Sequence, residues 1–359
     1  ELGLSQESVA GALSLLEDGA TIPFIARYRK ERTGVMDEET IRVVRDRAEV
    51  LATLDSRRAA ILRLLEERGI LTSDLERRVI DAPNKATIED IYLPYRPKRK
   101  TRASAARAQG LAPLADALLD DRMSSPFVDA AKFIDHSSGV TSAVEALAGA
   151  RDIIAERVSE DSEVRAKLRT LFERGVISSS LRIKKKAADA RIYSDYFDRS
   201  EPAQKIQAHR IHALLRGERE GFLTVHIAPA EEAALRVLIR RYVRHGGDQY
   251  QQLLEACTDS YHRLIKPSLE AEQKTLLKRR ADVAALEVFS ANLEELLLAP
   301  PFGERPIMGV DPGFRTGCKV VCLDALGNLL YDTTIYPLDP RNQSDEAAKV
   351  VLHLIAEYR

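Results

Sequence analysis

Near the start of the chain, apolar positions recur with helical spacing. "LSQESVAGALSLLEDG" reads as an amphipathic helix, capped by Ser5 and stopped by Gly19. A long helix is predicted over Asp37–Arg68. Its stripe is Ile41, Val44, Ala48, Leu51, Leu54, Ile61 and Leu65, and Gly69 ends it. A shorter helix spans Asp74–Asp81. Helix follows helix from Leu111 to Thr170, with Ala-rich faces and breaks at Pro126 and Gly139, and long helices return from Asp248 to Ala299. Alternation replaces this period in only a few places. "FLTVHIA" reads as a strand, Ile307–Val310 as a second, and "CKVVCLDALGNLLYDTTIYP" as two more around a Leu326-Gly327-Asn328 turn. The last helix, Gln343–Arg359, directs Ala347, Val350, Val351, Leu354 and Ile355 inward. Pro300, Pro301, Gly303 and Pro306 mark a domain linker. The expected fold is therefore mainly α: a multi-helix core over 1–300, with a small strand-containing part near 180–230, then an α/β domain over 305–359.

The 359 residues suffice for two or three domains. Net charge is −1, so the chain as a whole is no polycation, and any surface for nucleic acid must be a local patch. Three cysteines do not make a disulfide framework, which points to a reducing cytosol; Cys318 and Cys322, on one strand, are expected as buried thiols. No apolar run approaches the roughly 20 residues of a membrane span, and no signal-peptide pattern opens the chain. The first residue is Glu rather than Met, so the sequence is expected to begin inside a longer protein.

Charge is unevenly placed. No acid occurs between Asp90 and Asp116, while Arg96, Lys98, Arg99, Lys100, Arg102 and Arg107 do, beside Tyr92 and Tyr95. Pro94 and Pro97 exclude a regular helix there. Such a segment, near 91–110, can follow a phosphate backbone and offer a stacking ring, or serve as a solvated linker pairing with acidic helices. Lys184, Lys185 and Lys186 form a second basic cluster. "TIPFIARYRKERTG" holds four more cations; the apolar look of Pro23, Phe24, Ile25 and Tyr28 favours a packed, structural segment. His209 and His212 stand three apart on a helix, but no third metal ligand of suitable pattern accompanies them. There is no phosphate-binding Gly-Lys-Ser/Thr loop, no zinc spacing and no Gly-x-Ser-x-Gly elbow, so no cofactor is expected.

Asp311 ends the strand Ile307–Val310 at a Pro-Gly turn. Strand, hairpin and helix in this order open a ribonuclease-H-like fold. Two chemistries use that opening: two-metal phosphodiester attack with carboxylates from later strands, or phosphate cradling with a hydrated magnesium ion in actin-like ATPases and sugar kinases. One carboxylate cannot hold two divalent ions, and neither Asp324 nor Asp332 on the hairpin has an assured place beside it.

The segments "TIPFIARYRKERTG", "IEDIYLPYRPKRKTRA", "SDYFDRSEP", "HRIHALLRGEREGFL", "FSANLEELLLAPP" and "GVDPGFRTGCKVV" resemble, in order, the bacterial Tex family of transcription accessory proteins. The resemblance implies a helical N-terminal core with a helix-turn-helix-like element, then a YqgF-type ribonuclease-H-like domain, incomplete here. Helix-hairpin-helix and OB-fold RNA-binding domains would follow beyond the last residue. It implies nucleic acid as partner, RNA and also DNA, and a place near the transcription machinery in the cytoplasm. It implies no catalysis, with Asp311 a vestigial residue. Phosphate contacts are then expected from Arg96, Lys98, Arg99, Lys100, Arg102, Lys184, Lys185 and Lys186. A metal-dependent nuclease using Asp311, or a protein-interaction platform, are the competing readings.

Overall fold

The computed structural model describes residues 2–97, 100–120, 125–182, 190–243, 249–300, 303–313, 316–339 and 341–358. It divides into two units, 1–284 and 285–359.

In the first unit Ser5 accepts a hydrogen bond from the Ser8 N–H and opens α1 (Gln6–Glu17). The short helices α2 (Ile22–Tyr28) and α3 (Lys30–Thr33) follow. Asp37 accepts from the Thr40 N–H and caps α4 (Glu38–Glu67), which stops before Gly69 at φ 66°. Caps of this kind contribute about 1 kcal/mol each. Helix α4 bridges two small cores. Ile41 and Val44 join Ala12, Leu15 and Ile25; Leu54, Ile61 and Leu65 join Leu75, Val79 and Ile88. Between them Leu51 is 37% exposed, contrary to the predicted stripe, because neither cluster reaches the middle of the helix. Thr72 and Asn84 cap α5 (Ser73–Ile80) and α6 (Lys85–Tyr92).

After a 3-10 turn at Leu93–Tyr95 come α7 (Arg102–Ala108), α8 (Ala112–Leu119), α9 (Pro126–Ala130), α10 (Ala143–Ser159) and α11 (Ser162–Glu173). The break predicted at Pro126 lies between α8 and α9, and Pro126 is the first residue of α9, where no N–H partner is needed. Helix α10 runs through the main core, with Ile153, Ile154 and Val158 fully buried beside Leu168, Phe172 and Leu238.

A three-stranded antiparallel sheet follows, in the order β2-β1-β3. Its strands are β1 (Val176–Leu181), β2 (Asp198–Pro202) and β3 (Leu223–Ala228), with α12 (Ala208–Arg219) between the last two. The predicted strand is β3, whose Leu223, Val225 and Ile227 point into a second core with Ile211 and Leu214. Then come α13 (Glu231–Tyr242), α14 (Tyr250–Asp259), a π-helical turn at Ser260–Ile265, and α15 (Lys266–Leu297).

One buried ion network ties α6, α11 and α15 together. Arg165 Nε donates to Asp90 Oδ1 at 2.6 Å, with both side chains under a tenth exposed (8% and 5%). Arg169 approaches Asp90 Oδ2 at 2.8 Å and donates twice to Glu272, at 2.5 and 3.2 Å. The contact to Oδ2 lacks hydrogen-bond alignment, so that oxygen is held by charge alone.

The second unit is an antiparallel sheet β4 (Ile307–Asp311), β5 (Cys318–Leu323) and β6 (Leu329–Ile335), in the order β4-β5-β6, with α16 (Ser344–Tyr358) on one face. Asp324 shapes the predicted hairpin turn by accepting from the N–H groups of Leu326 and Asn328. Cys318, Val320 and Cys322 meet Ala347 and Leu354 in its core. Val350 and Ile355 are 36% and 53% exposed, so the inward stripe of α16 is narrower than predicted. No helix among the described residues is long and apolar enough to cross a membrane.

Candidate nucleic-acid interface

The basic segment leaves the core at Tyr92. That ring is 4% exposed and belongs to the cluster of α4–α6, so it is not available to stack on a base. Tyr95 is half-buried against the same cluster, and its carbonyl accepts from Arg68 Nη1 at 2.8 Å. The stacking expected here is thus corrected for Tyr92, whose ring is committed to the core. At Arg96 the backbone is extended, at φ −67° and ψ 139°. It re-enters helix at Thr101, where Thr101 and Ser104 cap each other's backbone in a capping box. Arg96, Lys100 and Arg102 are exposed. Neither Arg96 nor Lys100 has an ion pair with any described residue, while Arg102 lies within electrostatic reach of Asp152. Burial raises the Asp152 carboxyl, and Arg263 and Arg102 act against that shift. Arg107 is different: its guanidinium donates to Glu156 at 2.6 Å, a pair that fastens α7 to α10. Lys98, Arg99, Lys184, Lys185 and Lys186 lie outside the described residues.

The other candidates sort by the same geometry. Asp311 is exposed and pairs across the sheet with Lys319. Asp332 shares its face but sits opposite Val321 on β6. Two strand spacings and two residues separate the two carboxylates, or roughly 12 Å at standard sheet dimensions. Ions of a two-metal site stand only about 4 Å apart. Asp324 is committed to its turn, whose hydrogen bonds, first those from Asn328, lower its pKa. Among the described residues no group of three His, Cys, Asp or Glu side chains could hold a metal ion. His209 is exposed, and His212 Nε2 meets Asp282 Oδ1 at 2.9 Å.

The segment "ARYRKERTG" is less packed than expected. Ile25 is fully buried, but Phe24 and Tyr28 are 40% and 63% exposed. Their ring centroids lie 5.4 Å apart, and Arg29 sits over Phe24 at 5.0 Å. Arg27 reaches Glu38 at 3.6 Å with both side chains in solvent, a contact of little energetic weight. The helix is too short to bury two faces, so Ile25 and Ala26 take the core and the rings face out.

Two clefts of the first unit differ in charge. The larger, 810 Å³, is lined by Arg77, Arg78, Arg157 and Arg241, but also by Asp81, Asp90, Glu160, Asp161 and Glu163. Three of its arginines have partners: Arg241 Nε donates to Asp161 at 2.5 Å, Arg157 donates to Asp116, and Arg78 donates to the Ser162 hydroxyl at 3.2 Å; Tyr242 donates to Asp161 as well, at 2.6 Å. The smaller, 490 Å³, lies between α12 and α15 and has Arg216, Arg219, Lys274 and Lys278 against one acid, Glu218. Its cations come from two helices far apart in the chain. The only local signal was their repetition three or four residues apart.

Three family models match the chain in order. They are a Tex-like protein N-terminal domain over residues 1–66, a Tex central region-like domain over 121–289, and a Tex protein YqgF-like domain over 305–359. The chain is 37% identical over 374 residues to protein tex of Bordetella pertussis, covering all of this chain and 47% of that protein. It is 38% identical over 351 residues to the transcriptional accessory protein Tex of Neisseria gonorrhoeae, covering 95% of this chain and 46% of the other. It is 26% identical over 343 residues to the human S1 RNA-binding domain-containing protein 1, covering 91% of this chain and 34% of that one. The chain spans about half the length of the bacterial relatives it matches.

Proposed function

We propose a role from one premise: the chain belongs to the Tex family. Its role is that of a nucleic-acid-binding scaffold in transcription, with RNA as ligand and no catalysis of its own. The observation that carries this reading is the exposure of Arg96, Lys100 and Arg102 in an acid-free stretch of sequence, between the buried Tyr92 and the capped start of α7. Cations held out in this way meet phosphates without reading sequence. The names of relatives support the same ligand class, one being a transcriptional accessory protein and another an RNA-binding-domain protein.

The test is an anisotropy titration of a fluorescein-labelled oligouridylate with the wild-type chain and with the R96E/K100E/R102E variant. Each lost single-strand phosphate contact removes roughly 0.7 decades of affinity at 0.1 M salt. The triple variant should therefore bind about 100-fold more weakly. Equal affinity would refute the assignment.

Nuclease action through Asp311 is the alternative reading. The distance to Asp332 and the turn role of Asp324 weigh against it within this chain. Cleavage of structured RNA or DNA dependent on magnesium or manganese, and lost in Asp311→Asn, would establish it. Capture of RNA polymerase that survives nuclease treatment would favour the protein-platform reading.

A further inference from the structure

The second cleft carries an inference of its own, which rests on the nucleic-acid reading above. Helix α12 presents Arg216 and Arg219, three residues apart, on its exposed side. Gly217 lies between them, on the opposite, buried side. A Cβ placed there would come within 2.6 Å of Leu223 Cδ1, 2.9 Å of Leu223 Cγ and 3.2 Å of Tyr193 Cδ1. The glycine lets α12 sit down on β3, and this seating fixes the direction of its two arginines. Across the groove, Lys274 and Lys278 stand one turn apart on α15, a rise of about 6 Å. Leu277 and Ala281 of α15 enter the same core as Ile211 and Leu214 of α12, so both cationic rows are set on rigid, packed elements.

The acids nearby are already engaged. Glu218 accepts from Lys274 Nζ at 2.7 Å and from the Val225 N–H at 3.4 Å. Asp282, just beyond the groove, accepts from Lys278 at 2.5 Å and contacts His212 at 2.9 Å. Hydrogen bonds, first that from Lys278, hold its carboxyl below the usual range. Arg216 and Arg219 have no ion pair with any described residue. The imidazole of His212, Leu215 and Thr275 complete its wall, and no Phe, Tyr or Trp lines it among the described residues. A groove walled by cations, with its acids engaged and its imidazole held by Asp282, suits phosphodiesters rather than base readout.

We propose that this groove binds the phosphate backbone of a single nucleic-acid strand, with Arg216 and Arg219 as the principal contacts and Lys274 and Lys278 as the opposite rail. A single strand is the occupant because 490 Å³ seats a few nucleotides and not a duplex. The larger cleft is the weaker candidate for this role, since five carboxylates line it beside its four arginines.

The experiment compares the wild-type chain with R216E/R219E, with the milder R216Q/R219Q, and with R63E, which removes an exposed cation paired to Glu67 elsewhere on the surface. The probe is the fluorescein-labelled oligouridylate. At roughly 0.7 decades per contact at 0.1 M salt, R216E/R219E should lose about 25-fold in affinity and flatten the salt slope by about 1.4. R216Q/R219Q should shift the same way, R63E should match wild type, and bound RNA should protect Lys278 from acetylation. Wild-type chain that fails to bind the probe would overturn the nucleic-acid reading and this inference together. Wild-type binding that is weakened by R96E/K100E/R102E but unchanged in both groove variants, with Lys278 still reactive, would overturn the groove alone. Equal weakening by R63E, or displacement of the probe from the groove by polyglutamate at matched charge, would also overturn it. The Gln pair decides the matter if the Glu pair does not fold.

Discussion

Asp90→Ala removes the one carboxylate, among the described residues, that pairs with both Arg165 and Arg169. In the native chain Arg165 has a 2.6 Å charged hydrogen bond to Asp90, a 3.1 Å bond to the Ser268 hydroxyl and a weak 3.4 Å contact to the Ser159 carbonyl. After substitution only the two neutral partners remain around a guanidinium that is 8% exposed. Arg169 fares better, because Glu272 still holds it through two hydrogen bonds. Those bonds, with Asp90, raise its pKa despite the opposing pull of burial. One charged hydrogen bond contributes about 1.5–3 kcal/mol, and stripping a buried pair of one partner costs about 3–5 kcal/mol. The expected loss is therefore about 3–5 kcal/mol, mostly from stranding Arg165. Urea unfolding followed by far-UV circular dichroism measures it. With a slope of about 3 kcal/mol per molar, the midpoint should fall by about 1–1.7 M. Asp90→Asn should fall between, since it keeps an acceptor but not the charge. A midpoint shift below about 0.3 M for the alanine variant would refute the claim that this network joins α6, α11 and α15.

Other substitutions test separate parts of the account. A Cβ at Gly11 would overlap the Arg32 carbonyl oxygen, a backbone atom that cannot swing away. Gly11→Ala should therefore destabilise the α1–α4 cluster by about 1–3 kcal/mol, in spite of the roughly 1 kcal/mol gained in helix propensity; hydrogen exchange in α1 reads it. The three cysteines are all buried, so native chain should resist a thiol reagent at pH 8 and release three equivalents in urea. Burial pushes the Cys257 thiol up to about 12. An unfolded thiol titrates near 8.5, so stability is complete below that pH and declines above it, by about 2 kcal/mol at pH 10. A flat profile from pH 8 to 10 would contradict the burial. Asp311→Asn should leave RNA affinity within about twofold, because loss of one exposed carboxylate on the sheet face opposite α16 removes no phosphate contact.

The legible parts of the fold were those decided by local chemistry. Asp37, the stripe of α4 and Gly69 mark both ends of a helix within its own sequence, and the alternation of β3 and the Asp324–Asn328 turn are equally local. Strand β1 carries no strand signal in its sequence, because its centre reads Ser178-Ser179-Ser180. Ser179 is buried nonetheless, and its hydroxyl donates to the Tyr196 carbonyl at 2.8 Å, a partner supplied only by tertiary structure. The same limit applied to charge. Arg107 looked like its neighbours in the basic segment until Glu156, 49 residues away, took it up. The α12–α15 groove is the converse case, where two unremarkable cationic helix faces become one surface only after folding.

The most direct test of the central claim is the salt dependence of oligouridylate binding by the intact chain. The account predicts that the logarithm of the binding constant falls linearly with the logarithm of salt concentration. It further predicts that R96E/K100E/R102E reduces that slope by about 2. Binding that ignores salt, or a slope unchanged by the three substitutions, would contradict it.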